Sequence, residues 1–438
     1  MDFEKYIDDI IQLIEVNIDR LNKMELLGDV AYHISSKNYF DLTWKEYQKL
    51  KSISDEIYVE NELGKKFPRN FIFDKLVNEV IIESYDLTST TEDIRLNLKQ
   101  RLQCFIEILN EEIKEYTYFI PVSGIFVEEK IIFNSISIYP FNDFKNEIKI
   151  YFKGNEDKFN KIELNYLFKE INELNMFCFV KLTVNGIYET SKDIALNKVN
   201  ELLSIFSLYK PHNINGFGIV GDVLPLDSHS IFYLFQGSKL KTSMSTSVRN
   251  RSFNLTKALE HMKENYLEYL IDLLNKNEFN YVEKILFNAL GWYYQSVKSE
   301  FIMKSDVAEV TLNSKNYYEH YNYYKLGVKL INLISSVESI ILFNKRKPSK
   351  IRKSRFNKIM NYSCENFTDY YVYLDELYDL RNDIVHNNDD CNLLKFNVEK
   401  YTELVNMFII MFVEIKYDFD MSEDNFLESK KDLEKFFY

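Results

Sequence analysis

The stretch Tyr378–Asp390, YDLRNDIVHNNDD, decides how this chain is read. It places Arg381 and His386, separated by four residues, at the end of an apolar helical pattern in a chain with only six histidines. Leu374, Leu377, Leu380 and Ile384 form the packing stripe of that predicted helix, a phase that leaves Asn382 and His386 one turn apart on a neighbouring face. Arg381 sits about 100° from Asn382 and about 140° from His386 on the helical wheel, yet its long stem can bring a guanidinium across to the same ligand. One helix is therefore expected to supply a phosphate clamp beside a proton-transfer group.

That pair suits cleavage of RNA without a metal. An imidazole can take the proton of a ribose 2′-hydroxyl or give one to the leaving 5′-oxygen, while a guanidinium stabilises charge building on the phosphate. The helix carboxyl end and the following Asp389 and Asp390 favour the imidazolium form of His386, which points to an acid role. The same two carboxylates repel an RNA backbone unless positive charge compensates. Such charge stands nearby in the sequence: KRKPSKIRKSRFNK, Lys345–Lys358, holds eight basic residues and no acidic one. Lys345, Arg346, Lys347, Lys350, Arg352, Lys353 and Arg355 are the expected RNA-backbone contacts, on a loop or a newly started basic helix. Glu338, a carboxylate on the otherwise apolar SSVESIILF, must be exposed, paired or functional, and is a candidate supporting residue.

The bulk numbers limit the alternatives. At 438 residues and 46% hydrophobic, the chain can bury sizeable cores in two or three domains. A net charge of -13 argues against indiscriminate coating of nucleic acid, so any RNA contact has to be local. The acidic, helical start MDFEKYIDDIIQLIEV lacks the features of a secretory signal, and the longest apolar run, LVNMFIIMFVEI, is too short for a membrane span and is interrupted by Asn406; a cytoplasmic location is expected. Cys104, Cys178, Cys364 and Cys391 are scattered singly, which indicates neither a zinc site nor a disulfide framework, and no metal or cofactor is expected. GFGIVG, Gly216–Gly221, has dinucleotide-loop spacing but is followed by DVLPLDSHS instead of a helix, so it reads as a strand entry. The tyrosines of Asn316–Lys325 could stack bases, although packing at an interface is the simpler reading in a chain with 32 tyrosines.

Three regions follow from periodicity. Residues 1–115 read as helical, the clearest element opening with Ser89 and Glu92 in a capping-box pattern and continuing through Ile94, Leu98, Leu102, Phe105, Leu109 and Ile113. Residues 116–250 read as a mixed α+β module, with the short strands YFIPVSGIF, KIIFNSISIYPF, NEIKIYF and MFCFVKLTV, then an amphipathic helix before Pro211, then strand character again. Residues 251–438 read as helical, with apolar stripes at 255–275, 279–299, 324–343, 370–386 and 394–416, the last four forming a four-helix bundle. The expected class is thus a mostly helical α+β multidomain chain.

LRNDIVH, set on the later helix of such a bundle behind LFNALGWYY and SSVESIILF, resembles the arginine, polar residue, histidine signature of HEPN domains, in particular the ApeA-like branch; the resemblance covers about residues 255–416. It implies a metal-independent endoribonuclease effector of anti-phage, abortive-infection type, in which two copies of the motif meet across a homodimer axis. On that resemblance Arg381 would bind the scissile phosphate, His386 would transfer protons, Asn382 would orient them, and residues 1–250 would sense a trigger such as a phage-derived protein. A two-fold axis beside these helices would let acid and base come from different protomers. Two other readings stand beside it: a non-catalytic binding or protein-interaction module, in which Arg381 and His386 only hold a nucleotide or RNA and the amino-terminal region makes protein contacts, and a structural one in which Arg381 pairs with Glu338.

Overall fold

The structure, a computed structural model, describes the chain outside residues 1–3, 24–31, 36–38, 61–62, 64–65, 86–88, 141–142, 145, 148–176, 211–216, 220–221, 226–229, 235–252, 277, 311–314, 344–348, 364–366, 383–397 and 423–425; over 298–326 and at some other positions it describes the backbone alone. The chain divides into two compact units, Met1–Tyr116 with Val184–Ile194, and Thr117–Thr183 with Ala195–Tyr438.

The first unit contains α1 (Glu4–Asn22), β1 (Tyr32–Ser35), β2 (Tyr39–Leu42), α2 (Trp44–Glu60), α3 (Arg69–Lys75) and α4 (Thr91–Glu111). Its core forms because apolar residues recur at helical spacing: Ile7, Ile10 and Ile14 of α1, Ile53 and Ile57 of α2, and Ile94, Leu98, Leu102, Phe105 and Leu109 of α4 are all buried together. The α4 start lies one residue beyond the predicted pair. Thr90 is the cap, its hydroxyl accepting from Asp93 N and its own N–H donating to the Asp93 carboxylate, both at 3.2 Å. The sequence STTED offers both registers, and the structure adopts the one closed by the shorter aspartate. The antiparallel β1–β2 hairpin was not foreseen, because two four-residue strands are too short to register a period.

The second unit joins a mixed sheet to the carboxy-terminal helices. Its strands are β3 (Lys114–Ser123), β5 (Ile131–Phe133), β6 (Ile136–Pro140), β7 (Phe177–Gly186), β8 (Gly218–Ile219), β9 (Asp222–Pro225) and β10 (Ser230–Leu234), in the order β5-β6-β7-β3-β10-β9, with β8 also on β3. A further short pair is formed by β4 (Ile125–Phe126) and β11 (Phe253–Asn254). Val180, Leu182 and Val184 alternate inward along β7 as their sequence pattern predicts. Asn134, at φ 50°, turns the chain from β5 into β6. The GFGIVG segment contributes β8 and is followed in the chain by β9 in place of a helix. Residues 148–152 of NEIKIYF lie outside the described residues.

After α5 (Tyr188–Ser207) come α6 (Leu255–Glu264), α7 (Leu267–Leu274), α8 (Tyr281–Val310), α9 (Lys315–Ile341), α10 (Ser349–Met360), α11 (Tyr371–Asn382), α12 (Val398–Asp420) and α13 (Lys430–Phe437). The 255–275 stripe is two helices rather than one, because Tyr266 takes a left-handed conformation at φ 68°. Helices α8, α9, α11 and α12 close a ring, each packed on the next and α12 back on α8. Two of its polar side chains bond across it: Ser336 Oγ donates to Ala289 O at 2.7 Å, and Asn406 Nδ2 donates to Leu208 O at 2.7 Å and Tyr293 Oη at 3.2 Å. Among the described residues no helix is long and apolar enough to cross a membrane.

Candidate functional site

The site is carried by α11, so what fixes α11 fixes the site. Its amino terminus is tied to α10 through side chains that replace missing backbone partners. Asn357 Oδ1 accepts from Tyr371 N at 3.0 Å, and its Nδ2 donates to Asp369 Oδ1 at 2.7 Å. Asn361 holds both backbone groups of Thr368, donating to its carbonyl at 2.9 Å and accepting from its N–H at 2.7 Å. Lys353 completes the corner by pairing with Asp369, which together with Asn357 lowers the Asp369 pKa.

From that anchor, Tyr371, Leu374, Leu377 and Tyr378 form the buried face of α11. The helical repeat continues this face to Arg381, one turn after Leu377 and Tyr378, where it reaches the surface: Arg381 is half-buried and Asn382 exposed. Arg381 Nη1 reaches Asn382 Oδ1 at 3.5 Å, a long contact, and no carboxylate among the described residues forms an ion pair with Arg381. Leu380, expected in the packing stripe, is only half-buried, and Tyr378 takes its place in the interface. His386 and Ile384 lie outside the described residues.

One turn before Arg381 is a polar cluster that sequence reasoning assembled only in part. Tyr378 Oη donates to Glu338 Oε1 of α9 at 3.0 Å, and the Arg352 guanidinium of α10 lies 4.5 Å from the centre of the Tyr378 ring. Glu338 therefore takes Tyr378 as its partner, and among the described residues no contact joins it to Arg381. Burial, followed by the Glu338 charge, raises the Tyr378 pKa and keeps its proton in place to be donated. Burial works against the charge on Arg352, but Tyr378, Tyr371 and Glu338 outweigh it and raise its pKa. Arg352 Nε is buried with no hydrogen-bond partner among the described residues, a situation that costs about 1–3 kcal/mol. Tyr378 was absent from the expected site; an aromatic ring one helical turn before a motif arginine is the signal that could have indicated it.

The predicted basic contacts separate. Lys350 is exposed, Arg352 half-buried on Tyr378, and Lys353 committed to Asp369. Arg355 requires correction as an RNA contact: it is only 3% exposed, its Nη1 donates to Ile341 O at 2.7 Å, and its guanidinium lies between Phe343 at 4.6 Å and Phe437 at 5.0 Å. Ile341 is the last residue of α9, so Arg355 supplies a donor and a positive charge where the helix leaves its carbonyls unpaired. Lys345, Arg346 and Lys347 lie outside the described residues, and the Asn316–Lys325 tyrosines lie in α9 where only the backbone is described. Among the described residues no group of three or more metal-ligating side chains is found.

No protein-family model, curated protein or solved structure matches this chain.

Proposed function

We propose that the chain is a metal-independent endoribonuclease of HEPN type, acting through Arg381 and His386 as an effector of anti-phage defence, with the amino-terminal regions controlling it in response to a phage-derived trigger. The observation that carries the reading is the position of Arg381. A guanidinium half-buried at the end of a packed helical face, with no carboxylate partner among the described residues, is held in place but left free to bind an anion. The closed ring of α8, α9, α11 and α12 gives it a rigid base.

In this reading Arg381 binds the scissile phosphate and stabilises the charge that builds on it as the 2′-oxygen attacks. His386, four residues beyond Asn382 in the sequence, protonates the leaving 5′-oxygen. Asn382, in contact with Arg381, orients the guanidinium. A homodimer through the bundle would supply the second histidine as base.

The test is incubation of total bacterial RNA in EDTA with the wild-type protein, Arg381→Ala and His386→Ala, with and without lysate from phage-infected cells, followed by analysis of fragment ends. Fragments ending in 2′,3′-cyclic phosphate that both substitutions abolish are expected. Cleavage that survives both would sink the assignment, and RNA binding without cleavage under any condition would convert the site to a binding module.

A further inference from the structure

We propose that Arg352 is a second phosphate-contacting guanidinium, held beside Arg381 by the ring and hydroxyl of Tyr378, so that the site grips two phosphates of a single RNA strand. The inference rests on the RNA-directed reading above and extends it to a residue on another helix.

Four observations lead to it. Three of the other four cations of α10 have structural occupations, Lys350 being exposed: Lys353 pairs with Asp369, Arg355 is buried on Ile341 O, and Lys358 lies over the Phe436 ring at 5.2 Å. Arg352 instead rests on Tyr378, and Tyr378 and Arg381 stand three apart on α11, the spacing that places neighbouring side chains on one helix face with Cβ atoms about 5–6 Å apart. Tyr378 is itself pinned, its hydroxyl bound to Glu338 at 3.0 Å, so the surface under Arg352 does not turn. Finally, Arg352 is only half-buried and forms no ion pair with a carboxylate among the described residues, which leaves its charge for an anion.

A planar guanidinium stacked on an aromatic face keeps its edge for hydrogen bonding, so stacking on Tyr378 and gripping a phosphate are compatible uses of one side chain. Two such groups, one resting on Tyr378 and the other one helical turn beyond Tyr378 on α11, suit a flexible polyphosphodiester, whose charges repeat along the strand, better than a lone mononucleotide.

The experiment measures the affinity of a fluorescent single-stranded RNA for full-length His386→Ala protein across a salt series. Each phosphate contact contributes about 0.7 to the slope of log affinity against log salt for a single strand. Adding Arg352→Gln is expected to weaken binding and lower that slope by about one contact's worth, as Arg381→Gln does at its own position. Arg352→Lys should keep the slope, and Lys358→Gln should leave slope and affinity unchanged. Arg352→Met, which preserves the stem packed on Tyr378, carries the same expectation if Arg352→Gln lowers the melting temperature. A slope unchanged by both Arg352→Gln and Arg352→Met but reduced by Arg381→Gln overturns the second subsite and leaves the RNA site standing. Absence of salt-dependent RNA binding by the parent overturns both.

Discussion

The amino-terminal unit and the α10–α11 end of the bundle treat their cations differently. In the first unit, helices are laced by carboxylate partners: Arg20 with Glu46, Lys49 with Asp9, Arg95 with Asp8, Lys75 with Glu112 and Arg69 with Asp55. At the end of the bundle Lys353 also pairs with a carboxylate, Asp369, but three cations lie on rings and carbonyls: Arg352 on Tyr378, Arg355 between Phe343 and Phe437, and Lys358 on Phe436. A paired cation has its charge cancelled locally, whereas a ring holds a cation in place and leaves the charge to act on a ligand. In a chain of net charge -13, such cations are a local source of positive potential, which the proposed RNA site requires.

The contrast can be broken at its strongest point first. Arg381→Ala should reduce RNA cleavage by about 100-fold or more, the scale of losing one donor aimed at developing charge, with folding cooperativity intact in a urea titration. An equal loss of stability and activity would make Arg381 a structural cation like those of the first unit.

Next in size, Arg355→Ala should cost about 2–4 kcal/mol in denaturant unfolding, because it strips a buried donor from Ile341 O and leaves a gap between two rings. A variant as stable as the parent would show that this guanidinium is not structural.

In the first unit, Arg20→Ala should cost about 1–2 kcal/mol, since the Arg20–Glu46 pair is two-pronged and largely shielded. Burial opposes ionisation of Glu46, yet hydrogen bonds from Arg20 and Thr43 hold its pKa below the usual carboxylate value. The contribution is therefore complete above that usual value and is lost as pH falls through the depressed one; stability curves of parent and Arg20→Ala should converge in acid. Curves that stay parallel would place the pair's effect elsewhere.

The smallest effect is expected from Arg95→Ala, whose pairing with Asp8 is exposed on both sides; about 0.5 kcal/mol or less should be lost, and less still in high salt. A larger loss that persists in salt would mean that surface pairing stabilises this unit more than its geometry accounts for.

Long periods were readable in the sequence and short or three-dimensional ones were not. The buried stripe of α4 and the four helices of the bundle follow from apolar spacing sustained over several turns. The β1–β2 hairpin and the break at Tyr266 depend on a few residues each and leave no period. At the site, Arg381 stood out because it ends an apolar helix before a rare histidine, but Tyr378 looked like one tyrosine among 32. Only the crossing of α9, α10 and α11 gives it Glu338 and Arg352 as neighbours. The basic run shows the opposite limit: a count of charges could not tell Arg355, turned inward to the end of α9, from Lys350, turned outward.

The sheet also sets a schedule for the chain's synthesis. Strand β3 lies between β7 and β10, and its parallel pairing joins Thr117 to Ser230 and Phe119 to Phe232. A ribosome adding about 5–20 residues per second takes on the order of ten seconds to bring β10 out after β3. Throughout that interval one edge of the nascent strand, rich in tyrosine and phenylalanine, lacks its final neighbour. The emerging polypeptide is most open to a chaperone, or to a wrong strand, at Tyr118–Ile120, well before the helices that carry Arg352 and Arg381 have been translated.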